Sequence, residues 1–361
     1  MKVKNIIKTI IKIVIFLLII ISCYCCVAKR IGEYSLKYKT YTLDKEPSFI
    51  TASLDDKLIL VIDGEIRFID SQMNETTIQL EINVGKVFCS YDWFWIIDDK
   101  NNLYALQVFK DNTYELSDVI LENVICIAGY GRYKENAIAI TTEGDVYVWG
   151  KGDEYCSVGI GGNIEIKEPM KIDNISNAKE LVRFNHYMNT AILTENGELY
   201  VIGGIDNSEW SEEKHELIQH IDRVTEFKKV KIDSKISKID GGGSLYTIYE
   251  DGTASRWSGI NKNSDGDIIL EMGYSDWEND IRFSQISCGG SSGIGMGTDK
   301  KLYLWGYDFI DKMSRKSDYT VYDTPQLIEF DKPVEDVYVA SGVAFFKNGL
   351  VLYIVPDTSD W

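Results

Sequence analysis

This chain of 361 residues contains few histidines and prolines, and its cysteines lack the close spacing of a metal site. It holds three histidines and five prolines, and Cys89, Cys126, Cys156 and Cys288 lie far apart with no Cys-x-x-Cys pair among them. This spacing supports no zinc site and favours single buried thiols over disulfides. Basic residues are also in the minority, 38 against 56 acidic, and the net charge of −18 argues against a nucleic-acid-binding protein.

Motifs that carry catalysis are missing as well. The chain has no Gly-x-Ser-x-Gly elbow, phosphate loop or dinucleotide fingerprint in a strand–helix context. His215 and His220 are five residues apart, so on a short helix they would diverge and could not share a metal. The segment from Asn261 to Asp267 resembles the start of a calcium loop, but Met272 stands where the bidentate glutamate belongs. A polar loop is favoured there, and no cofactor or metal is expected.

The only long hydrophobic run lies at the amino terminus. Residues 1–30 contain six lysine or arginine residues and no acid, which leaves −24 for the rest of the chain, and residues 13–28 are uncharged. A basic start followed by an apolar run is typical of a secretory signal or a signal anchor. The sequence thus predicts one N-terminal hydrophobic helix at the cell membrane, with the remaining chain outside the cytoplasm.

Three cysteines, Cys23, Cys25 and Cys26, crowd the end of this run. Ile20-Ile-Ser-Cys23 resembles a relaxed bacterial lipobox, in which the cysteine is lipidated, although the commonest form has leucine first and alanine or glycine before the cysteine. The apolar run would serve a lipoprotein signal with Cys23 lipidated or a transmembrane anchor, and both interpretations stay open. Palmitoylation in a eukaryote is a third.

The rest of the chain is repetitive. Seven segments share a short apolar strand, a turn and a second apolar strand: 58–69, 94–106, 137–150, 191–203, 245–257, 295–306 and 344–354. The first apolar position of the second strand is Ile66, Leu103, Val146, Leu199, Ala254, Leu302 and Val351. The position three residues later is Ile69, Leu106, Trp149, Ile202, Trp257, Trp305 and Ile354. A glycine in each turn dipeptide, as in Glu143-Gly144 and Asn196-Gly197, tolerates the positive φ of a tight hairpin.

The copies recur every 37 to 55 residues, and successive apolar positions indicate strands covered on both faces. Such a period in a pure strand pattern is typical of a propeller. The sequence therefore predicts an all-β fold, a seven-bladed β-propeller of about seven repeats over residues 49–361. Residues 31–48 are predicted to be a linker in which the alternating stretch 34–43 completes the last blade and closes the ring.

The unit ending in Tyr147-Val-Trp-Gly150 resembles the regulator of chromosome condensation repeat family, whose fold is a seven-bladed propeller. The family's glycine pair before the strands is matched by Asp240-Gly-Gly-Gly243 and by Cys288-Gly-Gly290. The resemblance covers roughly residues 49–355, but the histidine that usually follows the glycines is absent and the first, second and seventh copies are degenerate. Together with the N-terminal anchor and the richness in Ile, Lys and Asn, it leads us to expect a bacterial, membrane-anchored member of this family.

Two acidic segments, 207–213 and 274–280, each contain a tryptophan, Trp210 and Trp277. One interpretation is a ring rim that binds a basic or polar partner with these two residues as anchors. The other is a pair of ordinary solvated loops with each tryptophan tucked over a blade edge.

The anchor, the repeats and the lack of catalytic motifs favour a membrane-tethered extracytoplasmic scaffold without catalysis. It would be a monomeric ring that binds an unknown protein or cell-envelope component and no nucleic acid. Two alternatives stay open. One is an inhibitor of a secreted enzyme, because the fold resemblance also covers a bacterial propeller that inhibits β-lactamases. The other is an enzyme that uses carboxylates at the propeller mouth.

Overall fold

The computed structural model describes the repeat region with gaps. The described residues are 39–42, 45, 47–52, 58–69, 74–90, 93–109, 113–129, 136–152, 159, 164–185, 189–207, 209–211, 216–218, 221–272, 280–289, 292–306, 322–328, 337–340, 343–346 and 350–353. The predicted N-terminal helix and Cys23 lie outside them. No helix of sufficient length and apolarity to cross a membrane occurs in these ranges.

Thirty β-strands make up the described fold. The first ten are β1 (Lys39–Thr42), β2 (Phe49–Ala52), β3 (Leu58–Ile62), β4 (Glu65–Ile69), β5 (Glu75–Ile78), β6 (Val84–Cys89), β7 (Phe94–Asp98), β8 (Leu103–Val108), β9 (Tyr114–Leu116) and β10 (Val124–Gly129). The next ten are β11 (Ala137–Thr141), β12 (Val146–Lys151), β13 (Glu165–Ile172), β14 (Ala178–Phe184), β15 (Asn189–Thr194), β16 (Leu199–Asp206), β17 (Glu209–Ser211), β18 (Glu216–Ile218), β19 (Ile221–Lys229) and β20 (Ile236–Gly241). The last ten are β21 (Leu245–Tyr249), β22 (Ala254–Lys262), β23 (Ile268–Met272), β24 (Phe283–Gly289), β25 (Ser292–Gly297), β26 (Leu302–Gly306), β27 (Tyr322–Ile328), β28 (Val337–Ala340), β29 (Val343–Phe346) and β30 (Leu350–Tyr353).

The strands form antiparallel four-stranded sheets. Six sheets follow chain order: β2–β5, β6–β9, β10–β13, β14–β15–β16–β19, β20–β23 and β24–β27. A further four-stranded sheet joins the two ends of the described chain in the order β1–β30–β29–β28, with Lys39 opposite Tyr353 and Thr42 opposite Leu350. A separate hairpin, β17–β18, is inserted in the fourth of the chain-ordered sheets.

The hairpins predicted from the repeat are the second and third strands of each sheet. Their turns are short, and Gly144 and Gly197 have φ values of 75° and 77°, as the turn dipeptides require. The predicted apolar positions are buried wherever their side chains are described, except in the copy with Ala254 and Trp257, where they are partly buried. The first strands contact one another from sheet to sheet, which places them innermost, and β28 contacts both β24 and β2. The all-β propeller prediction is confirmed.

The core lies between neighbouring sheets. Ile138, Val148 and Ile192 belong to one buried cluster shared by the sheets that contain β11 and β15. Trp95 and Trp149, on sheets next to each other, pack edge to face with ring centroids 5.9 Å apart. Because each sheet is covered on both faces, its second and third strands are apolar at nearly every position.

Candidate functional site

The alternating strand directions place two different sets of connections at the two ends of each sheet. The "turn end" carries the connections between the second and third strands, and the "loop end" carries those between first and second and between third and fourth. The third-to-fourth connections include the three longest stretches between paired strands within these sheets: 152–164, 207–220 and 307–321. Variable recognition segments are usually carried on such loops over a rigid scaffold, so the loop end is the better candidate for binding.

The turn end has a repeated internal hydrogen bond. Tyr104 donates its hydroxyl to Asp98 Oδ2 at 3.2 Å, and Tyr303 donates to Asp299 Oδ2 at 3.1 Å. Asp98 is the last residue of β7 and Asp299 lies in the turn after β25, so each acid precedes the tyrosine of its own hairpin. The tyrosine repeated in the sequence pattern therefore holds a turn in place, and its recurrence reflects structure and not a ligand.

Lysines on the first strands link neighbouring sheets. Lys86 Nζ donates to the carbonyl oxygen of Ile125 at 2.7 Å, and Lys238 Nζ donates to that of Ser284 at 2.8 Å. Each acceptor is the second residue of the next first strand along the chain. A charged donor to a backbone carbonyl contributes about 1.5–3 kcal/mol, so these lysines fix the spacing between sheets.

A pocket of about 300 Å³ lies at the junction of the sheets that contain β14, β20 and β24, and is called here the interblade pocket. Its polar lining is Glu180, Lys238, Asp240, Tyr246, Gln285 and Ser287, and its apolar lining comes mainly from isoleucines of the same strands. Glu180 and Asp240 are 60 positions apart in the chain and reach the pocket from adjacent sheets. Their convergence is the main feature that the sequence did not reveal.

Both carboxylates receive a backbone hydrogen bond from a neighbouring sheet. Glu180 Oε2 accepts the Ile239 N–H at 2.8 Å, and Asp240 Oδ1 accepts the Gly241 N–H at 2.7 Å and the Cys288 N–H at 3.4 Å. Burial raises the pKa of Glu180 and raises that of Asp240 to about 7, although the backbone donors oppose this shift. The Asp240 carboxyl is therefore partly protonated near neutral pH.

The cross-strand register places Asp240, Tyr246 and Arg256 in one row across β20, β21 and β22. The Trp305 Nε1–H of the next sheet donates to the Tyr246 hydroxyl oxygen at 2.8 Å. Burial raises the pKa of Tyr246, and it raises the pKa of Cys288 well above its ordinary value. Both groups stay protonated at neutral pH, so Cys288 is no nucleophile.

The arrangement has the elements of proton transfer, because a carboxyl group with a pKa near the working pH can serve as general acid or base. No set of three or more metal-type side chains occurs within the described ranges. Glu180 and Lys238 follow the same register shift on neighbouring first strands and so occupy equivalent positions. This equivalence is seen only in the pairing of the strands.

The segment that resembled a calcium loop is the turn between β22 and β23. Asn263 Oδ1 accepts the Asp265 and Asp267 N–H groups at 3.0 Å and 2.9 Å, and Asp267 Oδ2 accepts from Lys231 Nζ at 2.7 Å. The Asn263 oxygen thus accepts from the backbone of its own turn, and the Asp267 carboxylate accepts from a lysine of the preceding sheet's connection.

Of the two predicted anchors, Trp210 lies on β17, opposite Leu217 of β18, and Trp277 lies outside the described residues. His215 and His220 are also outside, and Glu216–Ile218 between them is a strand and not a short helix. Cys89, Cys126 and Cys288 are free thiols.

No protein-family model matches the chain. It is 24% identical over 277 residues to the RCC1 domain-containing protein RUG3, mitochondrial, of Arabidopsis thaliana, an alignment that covers 69% of this chain and 57% of that protein. It is 24% identical over 184 residues to the ultraviolet-B receptor UVR8 of the same plant, covering 48% of this chain and 39% of the receptor. The chain spans about half the length of these curated relatives.

Solved structures share the fold. Human WBSCR16 superposes with a TM-score of 0.59 at 15% identity, covering 86% of this chain and 87% of that one. Prp20p from Saccharomyces cerevisiae, characterised with its binding to Gsp1p and histones, gives 0.56 at 13% identity and covers 82% and 79%. A yeast RCC1 (Prp20) structure with Kap60 gives 0.55 at 13% identity, with 82% and 77% covered.

Proposed function

We propose that the chain, which is similar to the RCC1-like repeat proteins RUG3 and UVR8, is a protein-binding scaffold, tethered to a membrane and displayed outside the cytoplasm. The observation that carries the binding role is the loop end, where the longest connections emerge from sheets with filled cores. Prp20p, which has the same fold, binds Gsp1p and histones. The interaction surface of this chain would therefore be its loop end.

The scaffold would be a seven-bladed ring that holds one rigid shape. The contacts of β28 with β24 and with β2 support closure through the sheet β1–β30–β29–β28. In this arrangement β1 is the closing strand, and residues 31–48 serve both as linker and as clasp. Closure removes the sheet edges that an open stack would expose to aggregation.

The tether would be the basic and apolar segment 1–30. Its six positive charges would stay cytoplasmic, and the acidic ring would lie in the extracytoplasmic space. Lipidation of Cys23 and a transmembrane anchor remain two forms of this proposal. Mass spectrometry of the intact protein separates them, because lipidation removes residues 1–22 and adds a diacylglycerol group to Cys23.

Protease shaving of intact cells that produce the full chain, with an epitope tag after Trp361, tests the placement. Loss of the tag while a cytosolic marker survives supports the proposal, and crosslinking on those cells then identifies the bound protein. A tag protected until lysis would overturn the placement. If the captured partner is an enzyme, its activity with and without the propeller distinguishes a scaffold from an inhibitor.

The interblade pocket favours one second candidate function, an enzyme that uses carboxylates. The observation behind it is the Asp240 carboxyl, with a pKa near 7, beside Glu180 in one pocket. A panel of fluorogenic glycosides and esters, assayed with the protein and with Asp240→Asn and Glu180→Gln, tests it. Turnover that both variants abolish would support catalysis, and turnover unaffected by either would exclude this pocket as its source.

A further inference from the structure

The connection between β16 and β19 forms a two-stranded ribbon beyond the body of its sheet. β15 stops pairing with β16 at Gly203, yet β16 and β19 remain paired to Asp206 opposite Ile221. The pairing resumes in β17–β18, from Glu209 opposite Ile218 to Ser211 opposite Glu216. Residues 204–207, 209–211, 216–218 and 221–223 are called here the ribbon.

The base of the ribbon is fixed, because its side chains belong to the core. Ile205 and Val224 are buried in one cluster with Ile260 and Ile268 of the next sheet. A side-chain hydrogen bond also crosses the ribbon from Asn207 Nδ2 to Asp222 Oδ2, at 3.0 Å. The ribbon therefore projects from an anchored base.

β17 and β18 form the outer part of the ribbon. Among the described strands, each pairs only with the other, so each has one edge that no described strand covers. Unpaired N–H and C=O groups on such an edge are a template for another extended chain. Long outer strands of the sheets carry residues that discourage this pairing, such as Lys228 and Lys229 on β19 and Pro325 on β27, but β17 and β18 contain neither lysine nor proline.

The charge of the ribbon selects the kind of partner. The ribbon holds four acids, Asp206, Glu209, Glu216 and Asp222, against one basic residue, Arg223. An acidic element attracts a cationic segment over about a Debye length and repels an acidic one. The same residues would also keep two ribbons from pairing with each other.

We propose that the ribbon is the docking element of the scaffold and that it pairs with a basic, extended segment of the partner protein. The inference rests on the proposed scaffold function and adds to it both the contact surface and the chemistry of the partner. Backbone hydrogen bonds to β17 or β18 supply the pairing, and the acidic side chains select for lysine and arginine.

Fluorescence anisotropy with the full-length protein in a neutral detergent tests the docking, using a fluorescein-labelled dodecapeptide of alternating lysine and valine as the probe. The test variant combines Glu209→Lys and Glu216→Lys. The matched control carries the same charge change at exposed acids of the turn end, in Glu143→Lys and Glu195→Lys. The proposal expects at least about tenfold weaker binding for the test variant and less than about twofold change for the control.

A second probe separates strand pairing from charge attraction. The same peptide, N-methylated at every residue, keeps its lysines but has no backbone donors, so it is expected to bind at least about tenfold more weakly. Equal binding of both peptides, or equal loss in both protein variants, overturns the docking proposal. Cell-surface crosslinking of the parent protein and of the test variant distinguishes failure of the docking proposal from failure of the scaffold proposal. If the test variant still captures the partner, the ribbon is not the docking element, although the scaffold function is retained. If the parent protein captures no partner, the scaffold function itself is refuted.

Discussion

Gly129, at the end of β10, has no room for a side chain. A Cβ at this position would lie 2.1 Å from Trp95 Nε1 and about 3 Å from two ring carbons, and Trp95 is fully buried on the preceding sheet. Gly129 is not among the residues with positive φ, so alanine fits the backbone and would otherwise favour the strand by about 0.5–1 kcal/mol. Any destabilisation by Gly129→Ala is therefore caused by a steric clash between the new methyl group and Trp95 of the neighbouring sheet.

The overlap exceeds 1 Å against a rigid indole, and overpacking of this kind costs typically 1–3 kcal/mol. We expect Gly129→Ala to lower the free energy of unfolding by about 3 kcal/mol, measured by urea unfolding followed by circular dichroism. Gly259→Ala is the matched control, because a Cβ there would have as its nearest neighbour the end of a single side chain, Asn185 Nδ2, at 3.3 Å. The control is expected to change stability by less than about 1 kcal/mol.

A second substitution tests the cause. Trp95→Phe removes the ring nitrogen that the new methyl group meets, and that nitrogen is buried without a hydrogen-bond partner. We expect Gly129→Ala to cost less than about 1 kcal/mol in the Trp95→Phe background, a clear departure from additivity. Equal costs in both backgrounds, or equal effects of Gly129→Ala and Gly259→Ala, would refute the packing argument.

Three further predictions concern single groups. Burial raises the Asp240 pKa to about 7, above its unfolded value, so its contribution to stability is complete below about pH 4 and is lost as the pH rises through 7. The free energies of unfolding of the parent protein and of Asp240→Asn should therefore diverge as the pH is raised across this range. Parallel stability curves would contradict the raised pKa. Tyr104→Phe should lower the free energy of unfolding by about 1 kcal/mol, because the hydroxyl hydrogen bond to Asp98 is lost. Denaturant titrations should show a smaller decrease for Tyr147→Phe, and equal decreases would show that the hydroxyl bond contributes nothing. Burial raises the Cys126 pKa to about 12, so mass spectrometry should find it unmodified by iodoacetamide at about pH 8 until urea unfolds the protein, whereas rapid native labelling would argue against its burial.

Local chemistry explains why so much of the fold was predictable. Each hairpin contains its own turn dipeptide and its own apolar run, so pairs such as β11–β12 and β15–β16 follow from a dozen consecutive residues. The candidate site was much harder to predict from the sequence. Trp210 was chosen for its acidic neighbours and does lie on the ribbon, but nothing in its local sequence indicated that the ribbon extends beyond the sheet.

The turn at residues 263–267 has the same local origin, because an Asx-type turn is encoded by neighbours two and four residues apart. The repeated tyrosine is evident in the sequence, but the sequence does not show its role. In the structure the hydroxyl of Tyr104 donates to Asp98 of its own hairpin.

The sequence by itself determined the repeat, the strand–turn–strand unit and the apolar positions that become buried. These depend on alternation and turn chemistry within one copy. Tertiary structure alone decided which residues of different copies meet: Glu180 with the backbone of Ile239, Asp240 with that of Cys288, and Gly129 with Trp95. These pairs are separated by 34 to 59 residues, and their distances depend on how each sheet twists and packs on the next. That packing is a property of the assembled ring, which no single repeat contains.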